Sequence, residues 1–181
     1  IAIKIINKTI ITVDYRNKLP IEIELWKKLK QANLVKMFYQ EGFIDRIFLF
    51  MEYGSAGDMK EFLQKHGPVH EATASLWMRQ VISGISYIHK MGLVHRDLKL
   101  ENIIIFSPTT VKIANFSRME QDANAITDAF RGLKSYSAPE ILSGQPYNPY
   151  KADVWSMGVI AYSILTNRKP LNDSMSDEDI V

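Results

Sequence analysis

One octad constrains this chain more than any other stretch: His95-Arg96-Asp97-Leu98-Lys99-Leu100-Glu101-Asn102. It places Arg96, Asp97, Lys99 and Asn102 within a few residues of one another. An apolar run, Ile103 to Phe106, follows at once, then a turn, Ser107-Pro108-Thr109-Thr110, then a second apolar run, Val111 to Ala114. This pattern predicts a loop held between a helix and a two-stranded hairpin. Charged residues concentrated on a loop that rigid elements position mark a site more often than a solvated turn.

The bulk composition limits what that site can serve. With 181 residues, 46% hydrophobic and 23% charged, the chain has globular proportions and can bury a core. The net charge of +2, from 22 basic and 20 acidic residues, gives no argument for nucleic acid or an acidic membrane surface as partner. No apolar run approaches the ~18 residues of a membrane helix. The chain has no cysteine, so disulfides and thiolate metal sites are excluded. A cysteine-free chain is compatible with a reducing compartment, and a cytoplasmic location is the expectation. The chain opens at Ile1, mid-strand by its pattern, and is expected to be a fragment.

Ile1 to Ile6 is rich in β-branched residues and reads as a strand. Lys4 interrupts it and faces the same way as Ala2 and Ile6; a lysine there is most simply an edge-strand gatekeeper. Pro20 suits the first turn of a helix, after the polar stretch Asp14 to Lys18. Ile21, Leu25 and Leu29 then form an apolar stripe at four-residue spacing. Glu22 and Trp26 lie beside the stripe, whereas Glu24 faces solvent. Leu34 to Phe38 and Ile47 to Met51 read as two further strands. Glu52-Tyr53-Gly54-Ser55-Ala56-Gly57-Asp58 is a glycine-bearing connector. Met59 to Lys65 is a short helix. A longer one runs from Glu71 to Met91, with Ala74, Trp77, Met78, Val81, Ile85 and Ile88 toward the core and Gly92 as its stop. His89, near the exposed end, has no role on this reading. A loop of about twenty residues leads from Ser117 to Ser137-Ala138-Pro139-Glu140, a length that is mostly functional. Asp153 to Tyr162 is apolar nearly all round and reads as a buried helix. The tail, Asn172 to Asp179, is acidic and polar.

The octad matches H-R-D-L-x-x-x-N, the catalytic loop of protein kinases. Further landmarks follow the same order: I-A-I-K, a helix glutamate at Glu22, x-F-x after the hairpin, and A-P-E before a D-V-W-S-M-G helix. The chain therefore resembles a Ser/Thr protein kinase domain. Lys99 follows Leu98 where tyrosine kinases carry alanine. The L-P-x-E-x-E helix start and the A-N-F-S-R neighbourhood resemble the testis-specific serine/threonine kinases.

That resemblance implies an α+β, two-lobed fold present in part. Residues 1–51 would belong to a small β-rich lobe with one helix, 52–58 to a hinge and 59–181 to a mostly helical large lobe. The glycine-rich loop and the C-terminal helices would lie outside the chain. It implies ATP and Mg2+ as cofactors and a protein substrate or partner. Asp97 would accept the substrate hydroxyl proton, and Lys99 would neutralise the transferring group. Asn102 would hold magnesium. Lys4 with Glu22 would order the phosphates. Ala2 and Ile104 would sandwich the adenine, and the backbone of Glu52, Tyr53 and Gly54 would meet its edge. Met51 would guard the back of the pocket, and Asp58 would contact the ribose. Asp58 and Glu101 could instead meet arginines of a substrate. Trp26, Met37, His95 and Phe116 would stack into a column tied to Asp153.

The departures from the family pattern are specific. The metal-binding aspartate of D-F-G is Asn115, and its glycine is Ser117. Magnesium prefers carboxylate and phosphate oxygens, and an amide offers one neutral oxygen instead. Ala129 stands where an activating threonine belongs, and Leu133 where a threonine hydroxyl would contact Asp97 and Lys99. No G-x-G-x-x-G is present. Two functions compete on these residues: a Ser/Thr kinase with impaired metal binding, and a pseudokinase that binds ATP or serves as a scaffold.

Overall fold

The computed structural model describes residues 1–121 and 133–171; Ala129 and the acidic tail lie outside the described residues. Strand β1 (Ala2–Asn7) alternates as expected, with Ile3 and Ile5 exposed and Ile6 buried. It pairs antiparallel with β3 (Arg46–Met51), which pairs antiparallel with β2 (Met37–Gly42), giving the order β1-β3-β2. The register places Ala2 opposite Met51 and Lys4 opposite Leu49.

Helix α1 spans Val13–Lys28, so Pro20 lies inside it and not in its first turn. Thr12 provides the earlier start: its hydroxyl accepts from the Tyr15 amide at 3.2 Å. This satisfies one of the amides that a helix start leaves orphaned. Asp14 and Lys18, four residues apart, add an ion pair at 3.0 Å. The buried face is Leu19, Glu22, Ile23 and Trp26, with Leu25 beside it. Those first four sit at i, i+3, i+4 and i+7, the spacing of one helical face. Ile21, expected in the stripe, is 60% exposed. A four-residue step turns about 40° round a helix of 3.6 residues per turn, so Leu25 reaches the edge of the buried face while Ile21, one step behind, stays outside it.

The strand expected at Leu34 to Phe38 begins only at Met37. Leu34 and Val35 turn instead toward the second hairpin, where the Val35 amide donates to the Ile113 carbonyl at 2.8 Å. After residues 52–58 come α2 (Met59–His66) and α3 (Glu71–Lys90). α3 buries Ala74, Trp77, Val81, Gly84, Ile85 and Ile88, close to the expected stripe. Then follow β4 (Leu93–Val94), the octad loop, and the expected hairpin of β5 (Ile103–Ser107) and β6 (Thr110–Ile113). β7 (Glu120–Gln121) returns to pair with β4. Two more helices, α4 (Pro139–Leu142) and α5 (Pro149–Thr166), end the described part. α5 was expected to be buried all round. It buries Asp153, Val159, Ile160, Ser163 and Ile164, but Val154, Trp155, Tyr162 and Leu165 stay exposed. An all-round apolar sequence names no face; packing against α3 selects one.

The result is α+β, a partial two-lobed arrangement: a small sheet with one helix, joined to a mostly helical part. One apolar core runs through both, from Leu19 and Trp26 through Leu34, Ile85 and Ile113 to Ile160. Two glycines set close approaches in it, with different tolerances. A Cβ on Gly84 would meet side-chain tips, Ile113 Cδ1 at 2.8 Å and Leu34 Cδ2 at 3.1 Å. A Cβ on Gly54 would meet Ile104 Cγ2 at 2.3 Å and the Ile105 carbonyl oxygen at 3.0 Å. Gly84→Ala regains ~1 kcal/mol of helix propensity against a clash that rotating side chains relieve, and ends near neutral. Gly54→Ala must push backbone away and loses ~1–3 kcal/mol. Urea denaturation of the two variants should rank them in that order.

Candidate active site

The octad is pinned from beneath by one carboxylate. Asp153, 2% exposed on α5, accepts from the His95 amide on Oδ2 and from the Arg96 amide on Oδ1, both at 2.9 Å. His89 of α3 joins them, its Nε2 lying 2.9 Å from Asp153 Oδ2. His89 is thus part of the support, although the sequence assigned it nothing. A histidine in the last turn of a helix carries no signal of what it will face.

These bonds hold Arg96 in the left-handed region, at φ 61. Such a conformation costs a non-glycine residue ~1–3 kcal/mol and persists only where surroundings enforce it. The Arg96 guanidinium is enclosed, donating to Tyr147 Oη at 2.9 Å and paired with Glu120 on β7. His95 is fully buried; burial pushes its imidazole below the usual range, against the pull of Asp153 and Asp97. Its Nε2 faces the Ala114 carbonyl at 3.2 Å and its Nδ1 accepts from the Asp97 amide at 3.3 Å, which fits a neutral ring protonated at Nε2.

Asp97, 6% exposed, is met by donors on both oxygens. Lys99 Nζ lies 3.4 Å from Oδ1. On Oδ2 it receives Asn102 Nδ2 at 3.0 Å and Asn115 Nδ2 at 3.3 Å. Asn115 also donates to Asn102 Oδ1 at 3.2 Å, and its own Oδ1 accepts from the Ser117 hydroxyl at 2.9 Å. Asn115 too is left-handed, at φ 61. The Asn115 amide nitrogen therefore contacts both Asp97 Oδ2 and Asn102 Oδ1, and the oxygens of both amides accept a hydrogen bond. Among the described residues, no group of three or more His, Cys, Asp or Glu could hold a metal ion. Magnesium takes six oxygen ligands and favours anionic ones; in this cluster Asp97 supplies a carboxylate, and Asn102 and Asn115 supply amides. Leu133 lines a small cavity together with Asp97, Lys99, Tyr136 and Ser137, and brings no polar atom of its side chain to it.

Across the cleft, Lys4 Nζ stands 3.7 Å from Glu22 Oε1. The Tyr15 hydroxyl donates to Glu22 Oε2 at 3.2 Å. Ala2 lies opposite Met51 in the sheet. Ile104 bridges to Asp58, and Gly54 packs on Ile104, so the connector is fastened to β5. The column also forms: Trp26 and Phe116 have centroids 5.4 Å apart, and Phe116 and His95 5.7 Å. Met37 is buried in the same core.

Three acidic groups named by the sequence have partners within the chain. Asp58 Oδ1 caps α2, accepting from the Glu61 amide at 2.9 Å. Glu52 takes Lys112 Nζ at 2.7 and 2.9 Å and the Lys36 amide at 2.8 Å, and its own amide donates to the Lys36 carbonyl at 3.0 Å, so its backbone carbonyl is what it has left for a ligand edge. Glu101 pairs with Lys60 at 2.8 Å. Burial pushes the Glu101 carboxyl up, but the Lys60 hydrogen bond, a bond from its own backbone amide and the charges of Lys60 and Lys99 together outweigh it and leave the group below the usual range. The Tyr53 side chain is 62% exposed. Lys112, Tyr15 and His89 are the partners that sequence reasoning missed. Each acts through a contact distant in sequence or two turns along a helix.

Glu22 is the uncomfortable group. Burial pushes its carboxyl above the usual 4.5, and Lys4 and Tyr15 only partly oppose this. The folded state therefore binds the proton more readily than the unfolded chain. Its contribution is most favourable below pH 4.5 and is lost as pH rises through the higher folded value. Glu22→Gln should accordingly melt above wild type at pH 7, with the gap closing toward pH 4. Scanning calorimetry at several pH values reads this, and a gap that widens at low pH would contradict it.

Comparison with known proteins agrees with this geometry. The protein kinase domain family matches residues 1–180. The human testis-specific serine/threonine-protein kinase 4 is 34% identical over 192 residues, covering 96% of this chain and 58% of that protein. The Saccharomyces cerevisiae protein named "Probable serine/threonine-protein kinase KCC4" is 37% identical over 183 residues, 95% of this chain and 18% of its own length. The mouse testis-specific serine/threonine-protein kinase 2 is 34% identical over 182 residues, 96% of this chain and 51% of that protein. The chain thus spans about half the length of the two testis-specific relatives and under a fifth of the yeast one. With a match that runs nearly end to end and relatives of the Ser/Thr type, this chain belongs to the protein kinase domain family.

Proposed function

We propose that this chain transfers the γ-phosphoryl group of ATP to a Ser or Thr hydroxyl of a protein, slowly, because its metal-binding corner is closed. The observation that carries the reading is Asp97: buried, ionically paired with Lys99, and oriented by Asn102. In the reaction the substrate oxygen bonds to the γ-phosphorus, the bond to the β-phosphate oxygen breaks, ADP leaves, and Asp97 takes the hydroxyl proton. Lys99 offsets charge on the transferring group. Lys4, steadied by Glu22, draws the phosphates. Ala2 and Ile104 face the adenine and Met51 closes its back, while the backbone of residues 52–54 offers its edge hydrogen bonds. Such catalysis is positioning plus electrostatics, so an assembled site retains part of its rate without every contact. The divisions follow: small lobe 1–51, hinge 52–58, large lobe 59–181, in a cytoplasmic protein.

Protein kinases as a family use ATP with Mg2+, and no step is assigned to the ion in this chain. The substrate need not be basic, since Asp58 and Glu101 already have partners. A second reading, a pseudokinase that binds ATP or a protein partner without turnover, is favoured by Leu133. An apolar side chain there leaves Asp97 and Lys99 without a hydroxyl between them.

Two measurements separate the readings. ATP should raise the melting temperature of the full-length protein with or without magnesium, by mass action on the folded state. A shift that needs magnesium would contradict the closed corner. Asn115→Asp should then raise phosphoryl transfer by up to ~10²-fold, the usual worth of one preorganised electrostatic contact. Adding Asp97→Ala should abolish the gain. ATP binding with no turnover in any variant would leave the pseudokinase reading standing.

A further inference from the structure

We infer that Tyr15 is a positioning residue: its hydroxyl holds the Glu22 carboxylate in place for Lys4. The inference rests on the nucleotide-binding reading above and names the group that keeps its lysine in order.

Among the described residues, the Glu22 carboxylate has one hydrogen bond, from the Tyr15 hydroxyl to Oε2 at 3.2 Å. Its other oxygen is buried with no hydrogen-bond partner, and Lys4 stands off at 3.7 Å, an ion pair without a hydrogen bond. Lys4 is about one-third exposed and carries a flexible stem, so it cannot fix the carboxylate. Tyr15 can. It lies two turns before Glu22 on the same helix face, and it packs on the main core. Its segment of α1 is moored on either side of it. Thr12 caps the start, and the Arg16 guanidinium donates to the Lys8 carbonyl just beyond β1. Thus the stretch of α1 before Pro20, which the sequence reads as polar, acts on the nucleotide side through one phenol.

The other charged groups around Glu22 do not substitute for it. Lys18 of α1, Arg118 and Glu120 line a cavity that Glu22 also lines, and none of them hydrogen-bonds its carboxylate. Lys18 is paired with Asp14, and Glu120 with Arg96. A purely structural tyrosine would fill space equally well as phenylalanine.

The test is Tyr15→Phe in the full-length protein, with two readouts. Removing a donor to a carboxylate raises its pKa. Carbon-13 NMR of labelled glutamate should show Glu22 titrating at higher pH in Tyr15→Phe than in wild type. ATP affinity by calorimetry should fall about 3- to 10-fold, the worth of one net hydrogen bond. In a Lys4→Met background, Tyr15→Phe should change ATP affinity no further, because both act through the same lysine. An unmoved Glu22 titration overturns the inference, as does a loss of affinity of equal size in both backgrounds, or a moved titration with unchanged affinity. If wild type binds no ATP, the nucleotide reading fails on its own, and the Glu22 titration still decides whether Tyr15 holds it.

Discussion

The Asp153 carboxylate is the contact on which the rest of the site depends. It takes two backbone amides of the octad and faces one imidazole from inside the helical part. Here two consecutive amides point at one carboxylate where the chain bends, and the left-handed Arg96 is that bend. Once it is made, His95 turns inward onto Phe116 and Asp97 turns toward Lys99 and Asn102. Backbone bonds to a buried charge are about twice as strong as neutral ones, which is how the strain at Arg96 is sustained.

The second left-handed residue, Asn115, shows what the chain did with its altered motif. An aspartate there would place a second carboxylate beside Asp97, and like charges at that range repel. The asparagine brings a neutral donor instead. It gives its two amide hydrogens to Asp97 and Asn102 and takes the Ser117 hydroxyl in return. Asn115 and Ser117 act as one unit here, because the serine hydroxyl supplies the donor that the amide oxygen takes, which a glycine side chain would not.

The octad, its hairpin and the order of elements were legible because they depend on local chemistry: a charged loop, two short apolar runs, glycine stops. The column of Trp26, Phe116 and His95 was legible only through the family resemblance. The start of α1 was misread because Pro20 looks like a first-turn residue, while Thr12, a better cap, sits within a run without periodicity. The strand at Met37 was misplaced because Leu34 and Val35 have strand composition but spend their backbone on β6. His89, Lys112 and Tyr15 were invisible for a different reason. Each is an ordinary polar residue whose partner is fixed only when separate elements, or successive helical turns, meet.

The acidic residues around the cleft divide by how many donors each one has. Asp97 has three, Glu52 has Lys112 and a backbone amide, and Asp58 has an amide. Glu101 has Lys60 on one oxygen only. Glu22, more deeply buried than Glu101, has one hydroxyl and a lysine at arm's length. Burying a carboxylate without full compensation is unfavourable, and folding alone would select glutamine or leucine on that face. The satisfied acids are explained by the structure they staple. Glu22 is not, and its position beside a lysine in an otherwise apolar strand is where a function of this chain leaves its clearest physical trace.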